Sequence, residues 1–214
     1  MIQSKNDLNF YIDSDLKACG FQKGRKSLSF SEYLKGILIP TPWYYQILLR
    51  KTEYYRNTGN PLRQKLLGNL YRLRLYRYGA KCGYSIALNC FGPGLCLPHI
   101  GTIVINQAAK FGSNVRIQAG VNVGAFSRCP QYSLNNGAPV FGDNIYIGPG
   151  AKIFGGITIG DHVAIGANAV VSKDVPAYST VVGANRIVNQ KGSIGLLIYG
   201  DTSKMPPESR SSQP

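Results

Sequence analysis

The chain has 214 residues, 44% of them hydrophobic, and a formal charge of +14 from 24 Lys and Arg against 10 Asp and Glu. That length and apolar content suffice for a substantial core, and no run approaches the ~18 apolar residues that span a bilayer. The five cysteines show neither a CxxC pair nor metal-ligand spacing, so reduced structural thiols are expected and no metal site.

The opening MIQSKNDLNFYIDSD lacks the charged-then-apolar layout of a signal peptide, and a cytoplasmic protein is expected. Residues 1–81 read as a basic, aromatic-rich helical region. Within it PWYYQILLRKTEYYRN and NPLRQKLLGNLYRLRLYRYGAKCG predict helices over about 42–57 and 61–78. Thr58-Gly59-Asn60-Pro61 separates them, because glycine ends a helix well and proline begins one. From Arg50 to Lys81 nine Lys or Arg stand against one acidic residue, Glu53. A stripe of Leu62, Leu66, Leu70 and Leu73 is expected to pack on a partner, leaving arginines on another face.

Three roles compete for this basic segment. Packing on the rest of the fold, or at the top of a trimer, accounts for the leucines without the charge. Contact with an anionic membrane surface fits the charge and the tyrosines, and would bring the protein to the inner face of the membrane. Nucleic-acid binding ranks last, because no recognised nucleic-acid motif accompanies the charge.

From residue 82 the pattern changes. Leu97 and Ile105 are eight apart where the register further on expects six, and the two extra residues fall around Pro98, His99, Ile100 and Gly101. One of only two histidines is thereby placed at a bulged corner, beside the core but able to project. The register continues through Phe111, Ile117 and Val123. Ala125 to Pro139 then interrupts it with polar and turn residues, and reads as a loop thrown out from one corner, the kind of place where solenoids carry function. Phe141, Ile147, Ile153, Ile159, Ile165 and Val171 follow at intervals of six, four of them preceding Gly142, Gly148, Gly160 and Gly166. Four places after each stands Ile145, Ala151, Ile157, Val163, Ala169 or Val175. This period fits neither a helix nor an ordinary strand. It predicts a mainly β protein whose residues 82–190 form a parallel β-helix, each coil covering its neighbour's core. Residues 191–214 read as a polar tail, disordered at its end.

At LPHIGTIVINQAAKFGSNVRIQAGVNVGA and APVFGDNIYIGPGAKIFGGITIGDHVAIGANAVVSKDVP the sequence resembles the hexapeptide acyltransferases, and within them the serine O-acetyltransferase-like branch, over roughly residues 82–188. The resemblance implies a left-handed helix and a homotrimer with sites between subunits, neither of which follows from periodicity. It implies acetyl transfer from acetyl-CoA to an alcohol, with His99 as general base in His99-Ile100-Gly101-Thr102-Ile103-Val104-Ile105. Histidine suits the task because its ordinary pKa, about 6.5, lies near working pH. His162 reads instead as a solvent-facing corner residue. For acetyl-CoA the resemblance points to small residues of the last coils, Gly148, Ala151, Gly166, Ala167 and Ala169. Lys173 stands where the family has a lysine near the nucleotide phosphates, with Arg186 and Lys191 as further candidates. The family's closing motif appears here as Gly183-Ala184-Asn185-Arg186, shortened and without its proline.

Two departures bear on the acceptor. The serine branch has a carboxylate about fifteen residues before the histidine, where this chain has Tyr84 beside Ser85. It also has an aspartate directly before the histidine and a second histidine in the loop, where this chain has Pro98 and Ala138. These changes point to a glycan hydroxyl, as in surface-polysaccharide assembly. Free serine is the second choice, and a non-catalytic scaffold the third. Cys96, three residues before His99, and Cys129, in the loop, are the two thiols closest to the expected site.

Overall fold

The computed structural model describes residues 1–59, 61–125 and 137–189. Most of the loop expected at 125–139, Cys129 within it, Lys191 and the tail at 191–214 lie outside the described residues.

Two inward side chains per hexad, with three hexads to a coil, need three short strands and three corners, and such a triangular shaft is what forms. One face stacks β1 (Tyr84–Ile86), β2 (Ile103–Ile105), β5 (Asn122–Gly124), β8 (Lys152–Phe154) and β11 (Val170–Val171). A second stacks β4 (Val115–Ile117), β7 (Ile145–Ile147), β10 (Ala164–Ile165) and β12 (Thr180–Val182), with β13 (Arg186–Asn189) closing its end. The third stacks β3 (Lys110–Phe111), β6 (Val140–Phe141) and β9 (Thr158–Ile159). All pairings are parallel except β12 with β13, and the fold is a left-handed parallel β-helix.

Among the described residues, every hexad position from Ile105 to Val123 and from Phe141 to Val171, and every position four residues after those from Phe141 onward, is buried. The register shows where coils are lengthened. Phe141 pairs with Ile159, eighteen residues on, which is three hexads. Phe91 pairs with Phe111, twenty residues on, and the two added residues are those of the His99 corner. Phe111 pairs with Phe141, thirty residues on, and the surplus is the loop. Phe91, Phe111 and Phe141 stack with centroids 4.3 and 4.1 Å apart, a column of aromatic rings inside the shaft.

The N-terminal region holds α1 (Lys5–Ala18), α2 (Phe30–Leu38), α3 (Pro42–Asn57), a single turn α4 (Pro61–Arg63), a π-helical turn (Gln64–Gly68) and α5 (Asn69–Cys82). Capping boxes start α1 at Ser4 with Asp7 and α2 at Ser29 with Glu32. Helix α3 occupies the span the sequence predicts. The second basic helix runs four residues further than predicted, to Cys82, and ends where Gly83 takes φ +79, a left-handed cap.

These helices are fastened to the first coil by a buried ionic cluster. Arg50, fully buried, donates from Nε to Asp15 at 2.7 Å, from one terminal nitrogen to Glu53 at 3.0 Å, and to the carbonyls of Phe91 and Gly92 at 3.0 and 2.6 Å. Asp15 in turn accepts from the amides of Gly94 and Leu95, and Glu53 from that of Asn89. Each charge is paired and each carboxylate oxygen accepts at least one hydrogen bond, the condition under which burying an ion pair is tolerable.

The leucine stripe joins no buried apolar cluster among the described residues: Leu62, Leu66, Leu70 and Leu73 are 73%, 68%, 49% and 49% exposed. The face of α5 that docks is the other one, carrying Leu75, Tyr78, Gly79 and Cys82. The cause is steric: a Cβ at Gly79 would stand 2.8 Å from the Tyr84 carbonyl oxygen, so only that face lets the helix approach the shaft.

Candidate active site

His99 stands exposed on the two-residue bulge between the second face and β2. Its ring has no hydrogen-bond partner among the described residues, while its backbone is firmly held. The Tyr84 hydroxyl donates to the His99 carbonyl at 2.6 Å. Two residues on, Gly101 adopts φ +153, its N–H donates to the Cys82 carbonyl at 3.1 Å, and a Cβ there would meet Ala119 Cβ at 2.7 Å. Only glycine fits such a corner. Burial pushes the Tyr84 phenol well above its ordinary range, the neighbouring Cys82 adding to it, so Tyr84 is a protonated donor at any working pH.

The strand leading into the corner is held from the helical side. Gln46 of α3, 1% exposed, donates from its side-chain nitrogen to the Leu95 carbonyl at 2.7 Å and accepts from the Leu97 N–H at 3.0 Å. A single amide side chain thus acts as the neighbouring strand the first coil lacks. Sequence reading missed Gln46, Asp15 and Arg50, and assigned Tyr84 no task beyond an absent carboxylate. The available signal was Gln46 and Arg50 bracketing the apolar run Ile47-Leu48-Leu49; Asp15, next to Asp13 and Ser14 in a polar helix, gave none.

Cys96 does not face this site. It is 1% exposed and its sulfur lies 2.9 Å from that of Cys19 at the end of α1, under the helices. The hydrogen bond from Cys19 draws the Cys96 thiol below its ordinary range, while Cys19 itself is pushed up.

His162 is a correction. It was expected to face solvent, but it is 8% exposed and stacks on Tyr178 with centroids 4.9 Å apart. It occupies a left-handed corner at φ +56, in a column with Asn114, Asn144 and Tyr178, all of which also take positive φ. Its work is to turn a corner.

The residues suggested for acetyl-CoA separate into two groups. Ala151 and Ala169 are fully buried in the shaft, so neither borders a surface groove. Gly148 is buried as well, and a Cβ there would stand 2.7 Å from the Ala167 amide nitrogen. Its small size serves the stacking of coils instead of a ligand. Gly166 is half-buried, and Ala167, Lys173 and Arg186 are exposed. Asn185 accepts from the Ser172 N–H at 2.7 Å and donates to the Ser172 hydroxyl at 3.1 Å. Lys173 and Arg186 each adjoin one partner of that contact and therefore sit at the same end of the shaft. The shortened closing motif forms the turn between β12 and β13, with Gly183 and Asn185 at φ +60 and +55.

His99 precedes the first face and Ala125, where the chain leaves the described coil, follows it. The two stand at opposite edges of that face. No group of three or more metal-ligating side chains is found among the described residues.

The geometry defines a hexapeptide-repeat shaft with one exposed histidine on a built corner, and comparison with known proteins agrees. Residues 138–173 match the family described as bacterial transferase hexapeptide (six repeats). Over 102 residues the chain is 42% identical to a serine acetyltransferase of Staphylococcus xylosus, a match covering 47% of this chain and 45% of that one. The chain thus spans about half the length of the curated relatives it matches. Among solved structures, the Neisseria gonorrhoeae serine acetyltransferase superposes with TM-score 0.64 at 25% identity, over 92% of this chain and 70% of that one. Soybean serine acetyltransferase complexed with serine gives 0.63 at 26%, over 86% and 70%. The chain carries the repeat of the hexapeptide acyltransferases, and its resemblance within them is to the serine acetyltransferase branch.

Proposed function

We propose that this chain is an acetyl-CoA-dependent O-acetyltransferase, active as a homotrimer, with His99 as general base and the hydroxyl of L-serine as acceptor. The observation that carries the proposal is the His99 corner. A ring free to take a proton is mounted on a backbone held by Tyr84 and Gly101, which is what a positioned base requires.

Bound acetyl-CoA supplies a thioester. The acceptor oxygen attacks the thioester carbonyl while a His99 ring nitrogen takes the hydroxyl proton. Collapse of the tetrahedral intermediate breaks the carbon–sulfur bond, the protonated His99 returns its proton to the departing thiolate, and an O-acetyl ester and free CoA thiol remain. Exposed Lys173 and Arg186 meet the phosphates at the far end of the donor, with Gly166 and Ala167 beside its arm. The separation of His99 from Ala125 across one face supports a site completed by a neighbouring copy.

The named relatives favour serine over the sugar hydroxyl that the residue departures suggested. A sugar acceptor keeps one specific support. Pro98, Ala138 and Tyr84 occupy places where the serine branch has groups to grip a charged amino acid or orient the base, and neither Pro98 nor Ala138 can bind an ammonium or a carboxylate.

The deciding experiment follows CoA thiol release by the purified chain and its His99→Ala variant, with L-serine or with sugars and glycan precursors. His99-dependent release with serine is expected. Release only with sugars transfers the assignment to a glycan acceptor, and silence with both favours a scaffold.

A further inference from the structure

We propose that the outward face of the Pro61–Cys82 segment, with the end of α2 beside it, is a docking surface for an anionic lipid bilayer. The inference is independent of the acetyl-transfer reading.

Leu62, Leu66, Leu70 and Leu73 follow one another at helical spacing, all exposed, on the side opposite the docked Leu75, Tyr78 and Cys82. Tyr76 is 77% exposed on the same helix. Helix α2, at the neighbouring side of α5, also exposes Leu34, Ile37, Leu38 and Ile39. It is held against α5 by the Tyr78 hydroxyl, which bonds the carbonyls of Gly36 and Ile39. Water alone does not account for such a continuous apolar stripe on a folded surface.

Charge selects the occupant. Helix α5 carries Arg72, Arg74, Arg77 and Lys81 and no acidic residue, and between Glu53 and Asp143 the sequence has no acid at all. None of those four cations makes a salt bridge among the described residues. At helical spacing they flank the leucine stripe on both sides, the arrangement that lets leucines enter the acyl boundary while long cationic side chains reach lipid phosphates. A cleft of about 240 Å³ between α2 and α5 gathers Arg74, Arg77 and Lys81 around Tyr44, Tyr78 and Ile37, a setting for a phosphate headgroup. A second copy docked face to face would set these cations against their equivalents, and a nucleic acid would leave the leucines in water. No helix among the described residues is long and apolar enough to cross a membrane, so the contact proposed is peripheral.

The test is co-sedimentation of the full chain with phosphatidylcholine vesicles, with and without about a third phosphatidylglycerol, at low and high salt. Binding is expected only to the anionic vesicles and is expected to weaken with salt. Arg72→Gln with Arg77→Gln should lower partitioning roughly thirtyfold. Leu70→Ser with Leu73→Ser should also lower it by tenfold or more, since two buried leucine side chains are lost from the lipid. The four substituted positions are exposed, so these variants should keep the wild-type melting transition. Equal binding to neutral vesicles, or binding to neither, overturns the proposal. So does a fall in oligomeric mass on Leu70→Ser with Leu73→Ser while vesicle binding stays unchanged, which makes the face a contact between copies. Retention on single-stranded RNA with vesicles unbound overturns it in favour of nucleic acid.

Discussion

The hydroxyl of Tyr84 donates a 2.6 Å hydrogen bond to the backbone carbonyl of His99. Tyr84 stands where the serine-specific pattern has a carboxylate to orient the histidine ring, and here the same place anchors the histidine backbone. Tyr84→Phe keeps the packing and removes only the bond, leaving a carbonyl without its partner at a half-buried corner. It should cost about 1–3 kcal/mol in chemical denaturation and lower kcat several-fold, with the KM for acetyl-CoA unchanged. An unaltered kcat would show that the corner is held without it.

His99→Ala should leave the thermal transition within a degree or two of wild type, because the residue is exposed. Turnover should fall by about 10²–10⁴, the usual contribution of a positioned base. Calorimetry and the thiol-release assay on the same sample separate the two effects, and unchanged turnover would remove His99 from the mechanism.

Lys173 and Arg186 lie at one end of the shaft, linked through Ser172 and Asn185. Replacing both by alanine should raise the KM for acetyl-CoA about tenfold or more, with little change for acetyl thioesters lacking the nucleotide. Steady-state kinetics with the two donors is the measurement. Equal effects on both would mean that the cations do not meet the phosphates.

Arg50 joins three acceptor sets inside the protein: Asp15, Glu53 and the carbonyls of Phe91 and Gly92. Arg50→Ala strands two buried carboxylates and should destabilise by about 3–5 kcal/mol. Arg50→Met with Asp15→Asn and Glu53→Gln should recover much of that loss in urea unfolding, since no unpaired charge remains buried.

The Cys19 and Cys96 sulfurs are 2.9 Å apart, and Cys96 is the more acidic of the two. A diamide-type thiol oxidant should join them, read as a mass loss of about two hydrogens that Cys19→Ser abolishes. Cys82 and Cys90 should resist alkylation at neutral pH, since burial pushes both up to about 11. The sign for stability follows. An acid whose pKa rises on folding holds its proton more tightly in the folded state, so the contribution of these thiols is complete below about 9 and is lost as pH rises through about 11. A melting temperature that climbs between those values would contradict it.

The shaft was legible because a solenoid repeats one local problem. Each inward position must be apolar and each corner permissive, so the period is written along the chain, and even its breaks at His99 and after Val123 could be located by counting. The supports of the site were not legible. Gln46, Asp15 and Arg50 lie 41 or more residues before the backbone they hold, and no spacing rule connects an α-helical side chain to a β-corner. The small residues misled for a related reason. Ala151 and Gly148 have the composition of a groove, yet stacking of the next coil encloses both.

By itself the sequence determined the coil period, the places where coils lengthen and the excess of cations before residue 82, because each is a local or additive property of the residue order. The tertiary structure decided that Tyr84 holds His99, that Cys96 meets Cys19 and that the leucines of the second basic helix look outward. A helix offers several faces to its surroundings, and which one docks is settled by where another element can approach: here the small Gly79 lets α5 close on Tyr84, leaving the leucine face turned away.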